Sequence, residues 1–354
     1  MTGALRDANF PCNVLVVGNA GVGKSSLVNY LVGKPVAEIG QGRPITRYTV
    51  RPPSYSCLFN GVEIRLFDTW GKEAEKEETW RDLIRAIVGS DDQPESVWFH
   101  MIVYVIGSNG DRVLDDDVVS IRFLRGLGCS VVVAFSKSGL VSQAQSEKLH
   151  TTLLEMLGDS VSIVHVESGG KTRFGSTMPF GKDDLLKVFL GEAWWNLPKR
   201  VCAYGCACVE KWRLRMRRNL AKKDISWFSN SDIERWIGQE AESFARKCLA
   251  PDMQDFLNGQ LSLLRRLAAG PSGVGKGMEF SLPEVPPETT MAVWEWALAG
   301  MLLPVLAVPV MLFKRIFEGG KDEEIRKLVA TINHDADVMR EGVETWCQKV
   351  FQRT

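Results

Sequence analysis

The chain has 354 residues, enough for two domains or three, and its 43 basic and 43 acidic residues give a formal net charge of zero. This balance argues against a protein that mainly binds polyanions. With 45% apolar and 24% charged residues, the composition excludes a disordered or collagen-like chain. Eight cysteines are too few for a disulfide scaffold at this length, and no apolar run behind a charged start predicts a secretory signal. We therefore expect a reducing, cytoplasmic location.

A glycine-rich loop near the N-terminus has the pattern of a phosphate-binding site. The β-branched run 13–17 predicts a buried strand, and residues 26–32 have the apolar spacing of a helix. Between them, residues 18–25 satisfy the pattern G-x-x-x-x-G-K-[ST]. Backbone N–H groups of such a loop and the positive end of the helix face an anion. The residues predicted to bind a nucleotide here are Asn19, Ala20, Gly21, Val22, Gly23, Lys24, Ser25 and Ser26.

Two side chains of this loop have separate predicted roles. Lys24 reaches the β- and γ-phosphates, and the Ser25 hydroxyl binds Mg²⁺. A near repeat of the motif at 270–277 has Gly277 in place of the hydroxyl, and it lies between a helical segment and one rich in Pro and Glu. We interpret it as a flexible linker around residues 268–290.

The next segments predict the parts of a site that responds to a γ-phosphate. The glycine-rich stretch 40–46 ends at Thr46, whose hydroxyl can reach Mg²⁺ when a γ-phosphate orders the loop; Thr49 is a competing candidate. Asn60-Gly61 between the apolar runs 55–59 and 62–67 predicts a β-hairpin.

The second strand of this hairpin ends at Asp68, an acid suited to a water-mediated contact with Mg²⁺. The Gly71 N–H, three residues later, is placed to bond the γ-phosphate. We therefore predict Ser25, Thr46 and Asp68 as metal ligands. Lys24, Thr46 and Gly71 are the predicted catalytic residues.

Alternating strands and helices continue along the chain and predict an α/β fold. Further strands are predicted at 98–106, 130–135 and 161–166, and helices at 77–88, 116–127 and 143–157. This order implies a mostly parallel sheet with helices on both faces, to which the hairpin adds one antiparallel edge strand. The sequence pattern changes after Pro198, where helical segments replace the alternation of strands and helices. We therefore predict one domain over 1–198 and an α-helical domain over 199–354.

Residues 10–198 resemble the Era-like P-loop GTPases, a broad family that also holds septins, immunity-related GTPases and the AIG1/Toc group. The segments that carry the resemblance are 18–29, 42–46 and 68–71. The resemblance implies GTP and GDP as ligands with Mg²⁺, Thr46 as the switch threonine, and 68–71 as the second switch. It also implies a homodimer or oligomer formed through the nucleotide-binding domain.

The base-reading motif departs from that family. The family has Asn/Thr-Lys-x-Asp after the fifth strand, and this chain has Ser136-Lys137-Ser138-Gly139. Ser136 and Lys137 are predicted to contact the base, since the Lys137 stem can cover the purine. The aspartate that accepts from guanine is absent, and hydrogen bonds to a charged group are worth about 1.5–3 kcal/mol. Preference for GTP is therefore implied by the resemblance alone. The last family motif falls at Ser168, without its usual alanine.

The residue after Gly71 is Lys72, where small GTPases of another branch carry a glutamine that orients water. We therefore expect slow intrinsic hydrolysis, accelerated by a partner, a cation or self-dimerisation. The alternatives are a nucleotide-binding scaffold that turns over little and is activated by self-assembly, and a membrane-remodelling GTPase.

The second half predicts helices throughout. A capping box at 231–234 begins a long helix interrupted at Pro251, and residues 322–353 have helical periodicity. Seven of the 13 residues in 211–223 are basic, with apolar residues between them. This cluster could meet anionic lipid headgroups or nucleic acid, or be a solvated helix face paired with nearby acids; at zero net charge we do not expect nucleic acid. Three cysteines lack the spacing of a zinc site and are read as structural thiols: Cys202, Cys206 and Cys208.

Residues 297–313 are 17 in a row without a charge. As a helix they extend about 26 Å, slightly short of the roughly 30 Å hydrocarbon core of a bilayer. Tryptophans precede the run and Lys314 and Arg315 follow it, flanks typical of a membrane interface. The alternatives are a membrane-associated segment over 291–317, spanning or peripheral at an intracellular membrane, and a buried core helix.

Overall fold

The structure, a computed structural model, describes residues 11–39, 52–73, 77–88, 98–110, 112–158, 161–172, 175–222, 230–269 and 321–351. Thr46, the near repeat at 270–277 and the apolar segment 291–317 lie outside the described residues. The described part divides into two compact units. One comprises the residues up to Asn196 with those from Gln260 to 269, and the other comprises Leu197–Gly259 with the final helix.

The main sheet of the first unit has six strands: β1 (Cys12–Gly18), β2 (Ser54–Phe59), β3 (Val62–Asp68), β4 (Met101–Gly107), β5 (Ser130–Ser136) and β6 (Ser162–His165). Their order is β2-β3-β1-β4-β5-β6, and neighbours pair in parallel except β2 with β3. Asn60 and Gly61 join β2 to β3 with φ values of 50° and 75°. A two-residue hairpin loop needs positive φ at both positions, which explains the Asn-Gly pair. The predicted hairpin and its antiparallel edge strand are confirmed.

Helices flank the sheet of this unit: α1 (Lys24–Val32), α2 (Glu77–Val88), α3 (Asp115–Arg125), α4 (Gln143–Leu157) and α5 (Lys182–Trp195). Alternate residues of the central strands, such as Leu15 and Tyr104, are buried in one apolar cluster with Trp80 of α2 and Ile121 of α3. Helix α1 contacts β1, β2 and β3, and α5 contacts β4, β5 and β6. A small hairpin of β7 (Gly170–Thr172) and β8 (Gly175–Thr177) precedes α5. The predicted α/β fold class is confirmed.

The second unit is helical, as predicted. Its helices are α6 (Leu197–Lys222), α7 (Asn230–Phe244) and α9 (Lys321–Phe351), and helix α8 (Ala250–Ala269) belongs to it up to Gly259. Its packing is built around α6 and α9, with the side chains of Trp212 and Trp346 fully buried. The helix predicted to break at Pro251 instead continues through it. A π-helical turn at Ala245–Leu249 precedes Pro251, and the Ala250 N–H bonds to the Ala245 carbonyl. Proline lacks an N–H, and a wider turn just before it lets the helix proceed without a broken bond.

The basic cluster of α6 presents most of its large apolar residues to the core, whereas Leu214 is exposed. Trp212, Met216 and Leu220 are all at least 96% buried. Two of the arginines have partners in the same unit, since Arg213 pairs with Glu210 at 2.6 Å and Arg217 donates to Asn333 Oδ1 at 2.6 Å. These contacts favour the reading of a helix face that covers a core. Among the helices that the structure describes, none combines the length and the hydropathy that crossing a bilayer requires.

Candidate functional site

The glycine loop follows the carboxyl end of β1, between the ends of β3 and β4. Gly18 has φ 146°, and a Cβ there would lie 2.4 Å from the Val105 carbonyl oxygen of β4. Gly23 has φ 102° and caps the N-terminus of α1. Since left-handed φ and this close approach both exclude a side chain, the motif glycines allow the turn from strand to helix.

Lys24 is the first residue of α1, and its side chain folds back over the loop. Its Nζ donates to the Asn19 carbonyl at 2.9 Å and to the Gly18 carbonyl at 3.2 Å. Burial lowers the pKa of Lys24 to about 8, and the Asp68 carboxylate nearby opposes this shift. No acid occurs in the first turn of α1, so a cation and a positive helix end share this small volume. The arrangement favours a bound anion.

Ser25 and Asp68 are 43 residues apart in the chain, and the fold places them in contact. The Ser25 hydroxyl donates to Asp68 Oδ2 at 2.7 Å. Asp68 is 98% buried, and burial raises its pKa. Its Oδ1 is also buried and accepts no hydrogen bond from the described residues. A buried carboxylate oxygen without a donor, next to a hydroxyl, is the kind of donor set that Mg²⁺ takes. The residues present therefore fit a divalent cation.

The segment after Asp68 stays hydrogen-bonded to the glycine loop. The Thr69 hydroxyl donates to the Val16 carbonyl at 2.7 Å, the Lys72 N–H donates to the Gly18 carbonyl at 3.0 Å, and the Ala20 N–H donates to the Lys72 carbonyl at 3.1 Å. A Cβ on Gly71 would lie 2.6 Å from Ala20 Cα and 3.0 Å from Lys24 Nζ. The predicted second switch is thus a continuation of the β1–β3 pairing that lies directly against the phosphate loop.

The loop after β5 also meets the glycine loop. Lys137 Nζ donates to the Gly21 carbonyl at 2.8 Å, and the Ser136 hydroxyl donates to the Val22 carbonyl. Lys137 itself has φ 57°. The structure therefore brings the predicted phosphate-binding and base-binding residues into one region. Ser26, in the first turn of α1, is half-buried there.

Two groups of this region were missed at the sequence level. Asp117 accepts from Asn19 Nδ2 at 2.9 Å and from the Tyr104 hydroxyl at 2.8 Å, which ties the phosphate loop to α3. Glu167, just after β6, accepts from the Gly139 N–H at 3.1 Å. The sequence shows three acids in a row at 115–117. Their role could not be predicted, because the residues that they contact come from distant parts of the chain.

Comparisons with known proteins agree with this geometry. Residues 13–137 match the family described as 50S ribosome-binding GTPase. GTPase Der of Bifidobacterium longum is 32% identical over 171 residues, 48% of this chain and 34% of that protein. Cell division control protein 10 of Candida albicans is 28% identical over 161 residues, 39% of this chain and 45% of that protein. The resemblance to P-loop GTPases is confirmed.

This chain spans less than half the length of either of these relatives. Among solved structures, Toc33 from Arabidopsis thaliana in complex with Mg²⁺ and GMPPNP is 20% identical with a TM-score of 0.37, covering 46% of this chain and 72% of that one. The family match ends at residue 137, well before α6, so it covers part of the first unit and none of the helices of the second.

Within the matched residues 13–137, the buried side chain of Lys72 connects the 69–72 segment to two helices. The Lys72 side chain is fully buried, and its Nζ donates to the Asp116 carboxylate and, at 2.9 Å, to the Ser120 hydroxyl. Glu77 Oε1 lies 3.6 Å away, and the ammonium stands 5.6 Å from the Trp80 ring centroid. These contacts fix the end of the 69–72 segment to α2 and α3.

We predict that Lys72→Met lowers the free energy of unfolding of the first unit by about 2 kcal/mol, because it removes the charged hydrogen bonds that the buried ammonium makes with Asp116 and Ser120. In a double-mutant cycle with Asp116→Leu, the two losses should fall short of additivity by about 1 kcal/mol. Urea unfolding measures both quantities. Lys187→Met is the control, since its ion pair with Asp184 is exposed and worth at most about 0.5 kcal/mol. A Lys72→Met variant as stable as the control would contradict this role of Lys72.

Proposed function

We propose that the first unit binds GTP and GDP together with Mg²⁺ and hydrolyses GTP slowly, acting as a nucleotide-dependent switch. The observation that carries this proposal is the hydrogen bond between Ser25 and Asp68 beside the folded-back Lys24. A hydroxyl from the phosphate loop and a carboxylate from the end of β3 meet where an anion and a cation would both be stabilised. The similarity of residues 13–137 to a GTPase family supports the choice of nucleotide.

The residues of the site have separable roles in this proposal. Lys24 and the N–H groups of the loop hold the nucleotide phosphates, while Ser25 and Asp68 hold Mg²⁺, which when bound neutralises charge that develops on the phosphates. Ser136 and Lys137 lie at the base. The Gly71 N–H reaches the γ-phosphate. Thr46 completes the metal site in this proposal, and it lies outside the described residues.

Nucleotide binding should change the protonation state of Lys24. Because the pKa of Lys24 is about 8 in the free protein, about half of Lys24 is neutral at pH 8 and about a tenth at pH 7. A phosphate beside the amine favours the charged form and raises its pKa. Binding GDP should therefore take up about half a proton at pH 8 and about a tenth of one at pH 7, and affinity should weaken as the pH rises above 8.

Titration calorimetry in buffers of different ionisation enthalpy measures this uptake, and the same titrations with GTP, ATP and ADP test the nucleotide assignment. Lys24→Met should weaken GDP binding and abolish the proton uptake. Lys34→Met, which removes an exposed lysine just beyond α1, should change neither. Failure of the wild-type protein to bind any of the four nucleotides would overturn the proposed function.

The contacts of the 69–72 segment suggest how a switch would work. In the structure this segment is paired with the phosphate loop through the backbone of Gly18, Ala20 and Lys72. A γ-phosphate bonded to the Gly71 N–H would compete with this pairing, so the segment would change position when that phosphate is bound. Lys72 then limits the motion, because its side chain holds the segment to α3.

Slow hydrolysis follows from the same residue. The position after Gly71 holds an anchored lysine, so we expect a single-turnover rate for the dilute protein below about 1 per second, the lower end of the usual enzyme range. Quench-flow or phosphate-release assays at several protein concentrations measure it. A rate that is already in the usual range at high dilution would show that another group positions the water.

A second candidate function, a nucleotide-binding scaffold activated by self-assembly, is favoured by the burial of Lys72. In that case turnover per molecule should rise steeply with protein concentration in the same assays. A rate independent of concentration would favour the monomeric switch.

We also propose that residues 291–317 attach the protein to a membrane, because their uncharged run has tryptophans on one side and basic residues on the other. The cluster at 211–223 contributes less, since Trp212, Met216 and Leu220 are buried and Leu214 alone of its large apolar residues is exposed. Deleting 291–317 should abolish co-sedimentation with anionic liposomes, whereas deleting the neighbouring residues 271–290 should preserve it. Unchanged sedimentation after the first deletion would remove this part of the proposal.

A further inference from the structure

The space beside Gly139 is filled by the carboxylate of another residue. A Cβ placed on Gly139 would lie 3.0 Å from both Cγ and Oε2 of Glu167. Any side chain at position 139 would therefore occupy the volume that the Glu167 side chain takes. The chain has no acid at position 139, but the Glu167 carboxylate lies 3.0 Å from the point at which a side chain there would begin.

Glu167 is held rigidly from both sides. Its N–H and carbonyl pair with Phe180 at 3.1 and 3.0 Å. Its Oε2 accepts from the Gly139 N–H at 3.1 Å and its Oε1 from the Gly169 N–H at 3.0 Å, and the residue is 95% buried. A carboxylate has about four acceptor positions. Two backbone donors therefore orient the group and leave an acceptor position on each oxygen.

The loop that carries Gly139 is also tied to the phosphate loop, through Lys137 and the Gly21 carbonyl at 2.8 Å. Glu167 thus lies on the side of the site where a base would extend from phosphates bound at 19–25. The two oxygens of a carboxylate match two adjacent N–H donors. The guanine edge offers N1–H and N2–H₂ side by side, whereas adenine offers an acceptor, N1, at the matching position.

We propose that Glu167 is the residue that selects guanine over adenine, accepting hydrogen bonds from guanine N1–H and N2–H₂ in place of an acid at position 139. This inference rests on the nucleotide binding proposed above. It also accounts for the glycine, because a Cβ at position 139 would lie 3.0 Å from Glu167 and the glutamate would have to shift. Rejection of adenine follows because its N1 lone pair would face a carboxylate oxygen.

The test compares GDP, ADP and XDP affinities by calorimetry with Mg²⁺ at pH 7. Xanthine keeps N1–H and has a carbonyl at C2, so an amide at position 167 can accept from the first and donate to the second. We expect wild type to bind GDP at least about 100-fold more tightly than ADP. Glu167→Gln should weaken GDP binding by about 10–100-fold, as expected for one charged hydrogen bond, and strengthen XDP binding.

Two further variants separate base reading from a structural role. Glu167→Ala/Gly139→Asp moves the carboxylate to position 139 and should recover part of the GDP preference that Glu167→Ala loses. Glu155→Gln, which changes an exposed glutamate on α4, should leave every ratio unchanged. Glu167→Gln keeps the shape of the side chain but loses one of its two backbone hydrogen bonds, because an amide NH2 cannot accept from an N–H. The ratio of GDP to XDP affinity, rather than either affinity alone, therefore reports on the proposal even if Glu167→Ala does not fold.

The outcomes distinguish the inference from the function beneath it. Wild-type binding of GDP and ADP with equal affinity, or a GDP-to-ADP ratio unchanged by Glu167→Gln, would overturn the role of Glu167 and leave the phosphate site standing. Absence of any nucleotide binding by the wild-type protein would overturn both. Conversion of the preference from GDP to XDP by one amide supports the direct contact, because a structural role alone would weaken both nucleotides alike.

Discussion

The parallel pairing of β1 with β3 is the constraint on which the candidate site depends. Its register places Val16 opposite Asp68, and this brings a carboxylate from the end of β3 to the first turn of α1. The same ladder of hydrogen bonds continues beyond the strands, through Gly18 and Lys72. The glycine loop and the 69–72 segment are therefore joined to each other by backbone hydrogen bonds. A shift of one residue in this register would turn Asp68 to the other face of the sheet and separate it from Ser25.

Charges at this edge of the sheet are stabilised by opposite charges because water is largely excluded. Lys24 and Asp68 are both buried, and each moves the pKa of the other back toward its ordinary value, against the effect of burial. Lys72 has no exposed surface and depends on acids of α2 and α3. Interactions of this kind are strong where the effective dielectric is low, and leaving one partner alone is costly. The site is thus electrostatically prepared for ligands that bring both a negative phosphate and a positive metal ion.

Local patterns explain what could be predicted from the sequence. The glycine loop, the Asn60-Gly61 turn and helices such as α2 are specified by residues within a few positions of each other, and the structure has them close to the predicted bounds. Contacts between distant segments could not be predicted in this way. Asp117 bonded to Asn19 and Lys72 bonded to Asp116 depend on which helix follows which strand in space. The continuation of the helix through Pro251 depends on a π-turn, which has no simple sequence signal.

In the proposed reading of the base by Glu167, a motif that is incomplete in the sequence is completed in space. In the sequence, position 139 has a glycine where the family has an acid. In the fold, the loops after β5 and β6 lie side by side, so a side chain from either can fill the same volume. Glycine at 139 and glutamate at 167 are therefore coupled, since a Cβ at 139 would displace the Glu167 side chain. An acid at both positions would also bring two carboxylates close together, which costs free energy unless one is protonated. In this proposal, the position of a carboxylate determines which base is selected. A residue that follows either of two strands can provide that carboxylate.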